Sequence, residues 1–181
     1  MIVNSYISNI EKFTYGKNVT IGCYNRIGEN VKIGDNVTIG HHCIIDEDVT
    51  IGNDVTIENY VLLKRHTKIG DGTFIDSYVR SSGKNYIGNN VTVRYGATIA
   101  KEVSIRDGVF ISPNVMTIYS SHEGKSVPGT IIDKHAFIGT AAVIGPGVQI
   151  GKNVVIGAMA YVSKDCLEKG IYIGVPAKLK Q

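Results

Sequence analysis

The chain contains no tryptophan and four prolines and, more tellingly, four leucines against 26 isoleucines and 20 valines. Leucine normally leads because helices favour it, whereas β-branched side chains lose χ1 freedom in helices and pack well on pleated strands. The shortage of leucine therefore argues against a helical bundle. No run of five like charges occurs, and 19 Lys and Arg stand against 16 Asp and Glu, so nothing marks nucleic acid as the main partner. No apolar run approaches the roughly 20 residues that span a membrane as a helix. The opening residues, MIVNSYISNIEKF, lack a basic segment followed by an apolar one. Three cysteines (Cys23, Cys43, Cys166) are an odd number without C-x-x-C spacing, which fits free thiols in a reducing compartment. A cytoplasmic protein with no membrane partner is expected. At 181 residues, 43% apolar and 19% charged, the chain is long enough for one domain with a real core and too apolar for disorder.

What is present is a repeat. Steps of six from Ile21 reach Ile27, Ile33, Ile39, Ile45, Ile51, Ile57, Leu63, Ile69, Ile75, Ser81, Ile87, Val93, Ile99, Ile105, Ile111 and Thr117. Only Ser81 and Thr117 are not aliphatic. Two residues before each lies a second inward candidate, mostly valine, with Asn25 and Asn85 as the exceptions. Glycine often follows the aliphatic residue and Asn or Asp comes within the next two, as in Ile33-Gly34-Asp35-Asn36. Neither a 3.6-residue period nor plain alternation keeps such a phase. The pattern predicts an all-β chain with three short strands per 18-residue coil. Gly and Asn should serve corners that need φ > 0 or a side chain that bonds its own backbone. Residues 18 apart then stack, with coils about 4.8 Å apart.

The frame breaks once. After Thr117 the next clean series is Ile132, Ile138, Ile144, Ile150, Ile156 and Val162. The step from 117 to 132 is not a multiple of six, so residues 118–131 (IYSSHEGKSVPGTI) leave the coil as a loop. Solenoids place function on such insertions. A smaller irregularity, Arg80-Ser81-Ser82-Gly83-Lys84, lies two coils earlier, so both departures fall on one face; a minor bulge and a substrate rim both account for it. The expected coil covers 17–117 and 130–162 within a single domain, 1–181, that ends in a short C-terminal segment, 163–181.

The hexads over roughly residues 17–162 resemble those of the hexapeptide-repeat acyltransferases. That resemblance implies a left-handed parallel β-helix working as a homotrimer with active sites at subunit interfaces. Handedness rests on the resemblance alone, because ordinary parallel crossovers are right-handed. Ile111-Ser112-Pro113-Asn114-Val115, with His122 eight residues past the asparagine, is similar to the galactoside and maltose acetyltransferases. There a loop histidine at that spacing is the general base. Acetyl transfer needs a proton removed from the attacking hydroxyl or amine, and a neutral imidazole with a pKa near ~6.5 suits that task. Asn114 and Glu123 are the candidate acceptor contacts; Glu123, next to His122, is placed to orient the imidazole or to meet a substrate amine.

The run Ile138-Gly139-Thr140-Ala141-Ala142-Val143-Ile144-Gly145-Pro146-Gly147-Val148, continued through Ala158 to Ser163-Lys164, is similar to the family's acetyl-CoA-binding coils. The resemblance implies that backbone amides at Thr140 and Ala158 hold the cofactor's arm, and that Ser163 and Lys164 lie nearer its nucleotide. Gly174-Val175-Pro176-Ala177-Lys178 looks like the family's terminal signature, with Lys178 near the cofactor's phosphates. His41, His42, His66 and His135 fall at corners and read as surface residues. No H-x4-H spacing occurs, so no metal ligand set is expected.

The acceptor divides the resemblance. The loop histidine favours O-acetylation of a sugar hydroxyl, whereas the run from Thr130 to Gly139 and the C-terminal EKGIYIGVPAK are more like enzymes that N-acetylate nucleotide-linked amino sugars. The expected function is acetyl-CoA-dependent transfer to such an amino group in the synthesis of a surface-polysaccharide precursor. Galactoside-type O-acetylation, a metal-dependent hydratase and a non-catalytic β-helix module remain as alternatives.

Overall fold

The computed structural model describes residues 5–7, 12–120, 127 and 129–180. His122 and Glu123 lie outside the described residues. Within them every strand but one is two residues long, and the strands form three parallel stacks. Sheet I has nine strands, from Tyr6–Ile7 to Tyr161–Val162. Sheet II has eight, from Thr14–Tyr15 to Gln149–Ile150. Sheet III has ten, from Thr20–Ile21 to Ile171–Ile173 and a final Lys178–Leu179. The chain passes through the sheets in the order III, I, II, turning at a III–I, a I–II and a II–III corner in each coil. This is a parallel β-solenoid of about nine turns without an α-helix among the described residues, consistent with the left-handed β-helix.

The coil is held by backbone bonds of fixed span. Thr20 N donates to Val37 O at 2.9 Å and Gly22 N to Ile39 O at 2.8 Å, each 17 residues on. Side chains therefore stack 18 apart, and Ile51, Ile69, Ile87 and Ile105 form one inner column. The column continues to Ile132, a step of 27 in which the loop is absorbed without loss of register. From Thr20–Ile21 to Tyr161–Val162 each strand buries its second residue, and each buried isoleucine contributes roughly 1.5–3 kcal/mol.

The corners differ from the expectation in an instructive way. Every sixth residue from Asn18 to Asn114, and again from His135 to Met159, has φ between 51° and 70°. These residues lie three places after the inward aliphatic side chain, not one. Asn36, Asp54 and Gly72 are typical, because Asn, Asp and Gly tolerate the left-handed region best. The glycine directly after the aliphatic residue has another cause. A Cβ on Gly34 would sit 2.6 Å from the carbonyl oxygen of Gly52 in the next coil. Some acidic and amide side chains bond their own turn, as Asp76 accepts from Ser77 N and Asp133 from Lys134 N, but a run of others bonds the neighbouring coil. At the II–III corner Asp35 Oδ1 accepts Lys17 N (2.7 Å), Asn53 Oδ1 accepts Asp35 N (2.9 Å), and Asp71, Asn89 and Asp107 repeat the bond, each capping the coil before it. Asn89 N–H and then Lys134 hold the Asp107 carboxyl below its usual range. Its contribution is therefore present above the unfolded value and lost as pH falls through the folded one.

The ladder also runs further than the repeat predicts. Tyr6–Ile7 pairs with Arg26–Ile27 and Thr14–Tyr15 with Lys32–Ile33. At the other end Ile171–Ile173 pairs with Val155–Ile156, and Lys178–Leu179 folds back antiparallel to close the sheet edge. Replacing Ile69 by Asp tests the register. It would bury an unpaired charge in the middle of the column, a change of about 3–5 kcal/mol. The variant should lose the cooperative melt in circular dichroism, and a parental melting curve would contradict the register.

Candidate functional site

Three corners built by one rule carry three different sets of side chains. At the III–I corner the lower coils present an aromatic ladder that the sequence reading missed. Tyr24 stacks on His42 at 5.1 Å, His42 on Tyr60 at 4.9 Å and Tyr60 on Tyr78 at 4.9 Å, with interplanar angles of 20° or less. Tyr95 follows at 5.4 Å but is turned by 58°. His42 is thus one rung of a stack. The signal was available in the spacing of 18 between positions 24, 42, 60 and 78. These residues occupy left-handed corner positions, which cost a non-glycine residue about 1–2 kcal/mol. Stacking offsets this by about 0.5–1.5 kcal/mol per pair.

Above Tyr95 the same corner is stripped. Asn114, Ala141 and Met159 take the left-handed positions, with Thr140 and Ala158 beside them, all exposed. Ala141 N donates to Pro113 O and Met159 N to Thr140 O, so these residues stack directly. The structure thus brings Asn114, Thr140 and Ala158 onto one edge. Their amides differ from those below. From Cys23 to Ser77 the N–H preceding the left-handed residue is capped by a side chain, Cys23 N by His41 Nδ1 (2.9 Å), His41 N by Asn59 Oδ1 (2.8 Å), Asn59 N by Ser77 Oγ (3.3 Å) and Ser77 N by Asp76 Oδ1 (2.7 Å), and the caps stop at Tyr95. The amides of Thr140 and Ala158 have no partner among the described residues. Two N–H groups on neighbouring coils, beside Ala141 and the exposed Met159, can bind the amide carbonyls of an extended ligand. The residues present fit the arm of an acyl-CoA.

The other candidates lie elsewhere. Ser163 and Lys164 follow Tyr161–Val162 and stand exposed at the I–II corner, across sheet I from Ala158. Lys178 is exposed in the terminal hairpin, after a turn in which Ala177 N donates to Tyr161 O at 2.7 Å. The insertion follows Thr117 at the I–II corner, and Ile131, expected in the loop, already belongs to strand Ile131–Ile132 of sheet II. The smaller irregularity lies on that same corner, as expected, but it is not a bulge. Arg80–Ser81 and Tyr86–Ile87 stay in register with their neighbours. The departure is chemical: Ser81 and Asn85 are buried, and Ser81 Oγ donates to Asn85 Oδ1 at 2.7 Å. Lower on this corner Arg26 (3.2 Å) and Lys64 (3.3 Å) flank the buried carboxylate of Asp46. A hollow of about 380 Å³ there, lined by Arg26, Glu29, Asn30 and Glu47, is several coils from the stripped edge. Burial pushes the Cys43 thiol up to about 11 and raises that of Cys166, so neither is a thiolate nucleophile near neutral pH.

Comparison with known proteins identifies the repeat. Residues 9–123 match the family described as the GMPPB C-terminal domain, and residues 129–164 match the bacterial transferase hexapeptide (six repeats). The galactoside O-acetyltransferase of Lactococcus lactis is 38% identical over 50 residues, which are 28% of this chain and 24% of that protein. The chain thus aligns with about a quarter of that relative's length. The UDP-N-acetylglucosamine acyltransferase of Campylobacter jejuni superposes with a TM-score of 0.85 at 19% identity, over 98% of this chain and 73% of that one. A mutant perosamine N-acetyltransferase of Caulobacter crescentus, in complex with CoA and GDP-perosamine, superposes with a TM-score of 0.61 at 24% identity, over 67% of this chain and 53% of the other. At these identities the two structural likenesses concern the fold. With more than half of its length, residues 9–123, in one family and its later coils in the repeat itself, the chain belongs to the GMPPB C-terminal domain family and is built of bacterial transferase hexapeptide repeats.

Proposed function

We propose that the chain is an acetyl-CoA-dependent acetyltransferase whose acceptor is the amino group of a nucleotide-linked sugar. The observation that carries the reading is the stripped III–I edge, where Thr140 and Ala158 offer two uncapped amides. The 38% identity with a galactoside O-acetyltransferase supports acetyl transfer. Support for the nucleotide-linked amine comes from a fold-level neighbour whose complex holds CoA and GDP-perosamine. Transfer to a sugar hydroxyl is the second reading, favoured by the galactoside match.

In this reading acetyl-CoA supplies an activated acetyl group as its thioester. The amides of Thr140 and Ala158 bind its arm, and Ser163, Lys164 and Lys178 meet its nucleotide and phosphates. Asn114 and Glu123 position the acceptor. The acceptor's lone pair attacks the thioester carbonyl, the C–S bond breaks, and His122 takes the proton lost by the acceptor. The edge offers one wall of a groove, because the arm would lie open to solvent on its other side. We therefore read the active form as a homotrimer in which a second subunit closes the groove. The described residues contain no helix long and apolar enough to cross a membrane, in keeping with action on cytoplasmic nucleotide sugars.

The direct test is release of the CoA thiol from acetyl-CoA with a panel of UDP- and dTDP-linked amino sugars, free amino sugars and galactosides. Turnover confined to the nucleotide-linked amines supports the first reading, turnover of the galactosides supports the second, and no thiol release with any member contradicts both. His122→Ala should fold normally and lose about 10²–10⁴-fold in kcat. The parental rate should rise with pH through an ionisation near the ordinary imidazole value of ~6.5. Parental kcat and an unchanged pH profile in the variant would remove the base assignment. Lys164→Ala and Lys178→Ala should raise KM for acetyl-CoA with kcat nearly unchanged, and less so at high salt, where phosphate attraction is screened. A fall in kcat at constant KM would place these lysines elsewhere. Light scattering should return three times 19.6 kDa, and a monomer at micromolar concentration would contradict the shared groove.

A further inference from the structure

The corner residue directly after each sheet III strand is glycine toward both ends of the solenoid, as at Gly22, Gly40, Gly139 and Gly157. The four coils between carry Glu58, Asp76, Arg94 and Ser112 in that row instead. The row lies on the III–I edge, and Arg94 and Ser112 occupy the two coils below Thr140.

Nine polar or charged side chains are buried among the described residues. Eight of them have a hydrogen-bond or ion-pair partner. Ser112, 3% exposed, is the exception: its hydroxyl has no partner among the described residues. Glycine serves the same position in other coils, so the fold does not call for a hydroxyl there. A buried hydroxyl without a partner destabilises, and packing gives no reason to keep one.

One coil lower, Arg94 is held in place with donors to spare. Its Nε lies 3.1 Å from Asp76 Oδ2, and Asp76 Oδ1 accepts from Ser77 N at 2.7 Å, so the pair is tied to the backbone. The two terminal nitrogens of the guanidinium have no partner among the described residues. Beside it the aromatic ladder ends. The left-handed position that carries a ring at Tyr24, His42, Tyr60 and Tyr78 is Gly96 in this coil, and the ring comes instead from Tyr95. That ring is turned by 58° out of the stack and is 48% exposed. The Tyr95 N–H is the first above Cys23 to lack a cap on this corner, and the Asn114 carboxamide overhangs Gly96.

These groups suit a sugar ring better than a phosphate. Hydroxyls both donate and accept, and the stretch offers donors on Arg94, Ser112 and the Tyr95 amide with acceptors on Asp76 and Asn114. Arg94 is already paired with Asp76, and the Glu58 carboxylate lies one coil below that pair, so an anion gains little there. The exposed Tyr95 ring gives the apolar face of a pyranose a surface to lie on. In the acetyl-transfer reading the nucleotide of acetyl-CoA meets residues 163–178 and its arm meets Ala158 and Thr140. The thioester then points down the edge toward Asn114 and Arg94.

We infer that Arg94, Tyr95 and Ser112 form the subsite that holds the acceptor's sugar ring. The inference rests on the acetyl-transfer reading and adds three residues to it.

Steady-state kinetics with the fastest acceptor of the panel, together with thermal melts, tests it. Ser112→Ala removes an unpaired buried hydroxyl, so its melting temperature should equal or exceed the parental one. Its KM for the acceptor should nevertheless rise about tenfold, the scale of one hydrogen bond. Arg94→Gln should raise that KM about tenfold or more, and Tyr95→Ala several-fold, with KM for acetyl-CoA unchanged in all three. Tyr60→Ala, which removes a ladder ring two coils below Tyr95, should keep the parental KM for the acceptor. Parental acceptor KM in any of the three variants, a lower melting temperature in Ser112→Ala, or an equal loss in Tyr60→Ala overturns the subsite and leaves acetyl transfer standing. A KM for acetyl-CoA that rises in step with that of the acceptor overturns it as well. No thiol release by the parental protein with any member of the panel overturns the acetyl-transfer reading and the subsite with it.

Discussion

Every feature of this protein depends on the hydrogen bond from each strand to the strand one coil on. In the uninterrupted coils it spans 17 residues from donor to acceptor, and where the insertion lengthens the step the strands still pair in register. A coil of 18 residues with three corners must turn sharply every six, and it does so with a left-handed residue each time. That geometry sends the two side chains flanking each strand's outward residue into the interior and leaves the strand and corner side chains facing solvent. The hydrophobic column of Ile51, Ile69, Ile87 and Ile105 follows from the register.

Because the backbone repeats, side chains alone distinguish one edge from another. The II–III corner is spent on stability: Asp35, Asn53, Asp71, Asn89 and Asp107 cap one coil after another. The III–I corner begins as an aromatic stack, loses its caps at Tyr95 and ends stripped to Asn114, Thr140 and Ala158. The I–II corner carries the insertion and, beneath it, buried polar groups in place of aliphatic ones. A solenoid can assign each edge its own task because a change on one corner leaves the register of the others intact.

The architecture was legible in the hexads, and so was the break in frame between Thr117 and Ile132, because a step of 15 cannot fit a period of six. The role of the glycines was not. Sequence order puts Gly34 and Asn36 in one turn, and only the three-dimensional path separates a residue crowded by the next coil from one with positive φ. The terminal strands escaped notice because Tyr6 pairs with Arg26, 20 residues away and out of phase with the repeat. The aromatic stack was hidden for a different reason: Tyr24, His42, Tyr60 and Tyr78 look like unrelated surface residues until read at intervals of 18. Ser81 and Thr117 were visible as exceptions, and Asn85 as another. That they form one chain depends on a carbonyl and an amide of Ala100, which no side-chain pattern encodes. Of the proposed site, the family resemblance pointed to Asn114, Thr140 and Ala158, which share an edge, whereas it gave no sign that Ser163 and Lys164 stand across sheet I from them.

The central claim is that ligand binding belongs to the stripped III–I edge at Thr140 and Ala158. A crystal structure of the protein grown with coenzyme A tests it most directly. The account predicts the arm running along the III–I corner, its amide carbonyls on the N–H groups of Thr140 and Ala158, with a second subunit closing the groove. Coenzyme A bound along the II–III corner, where side chains already cap the amides, or bound with no second subunit in contact, would contradict it.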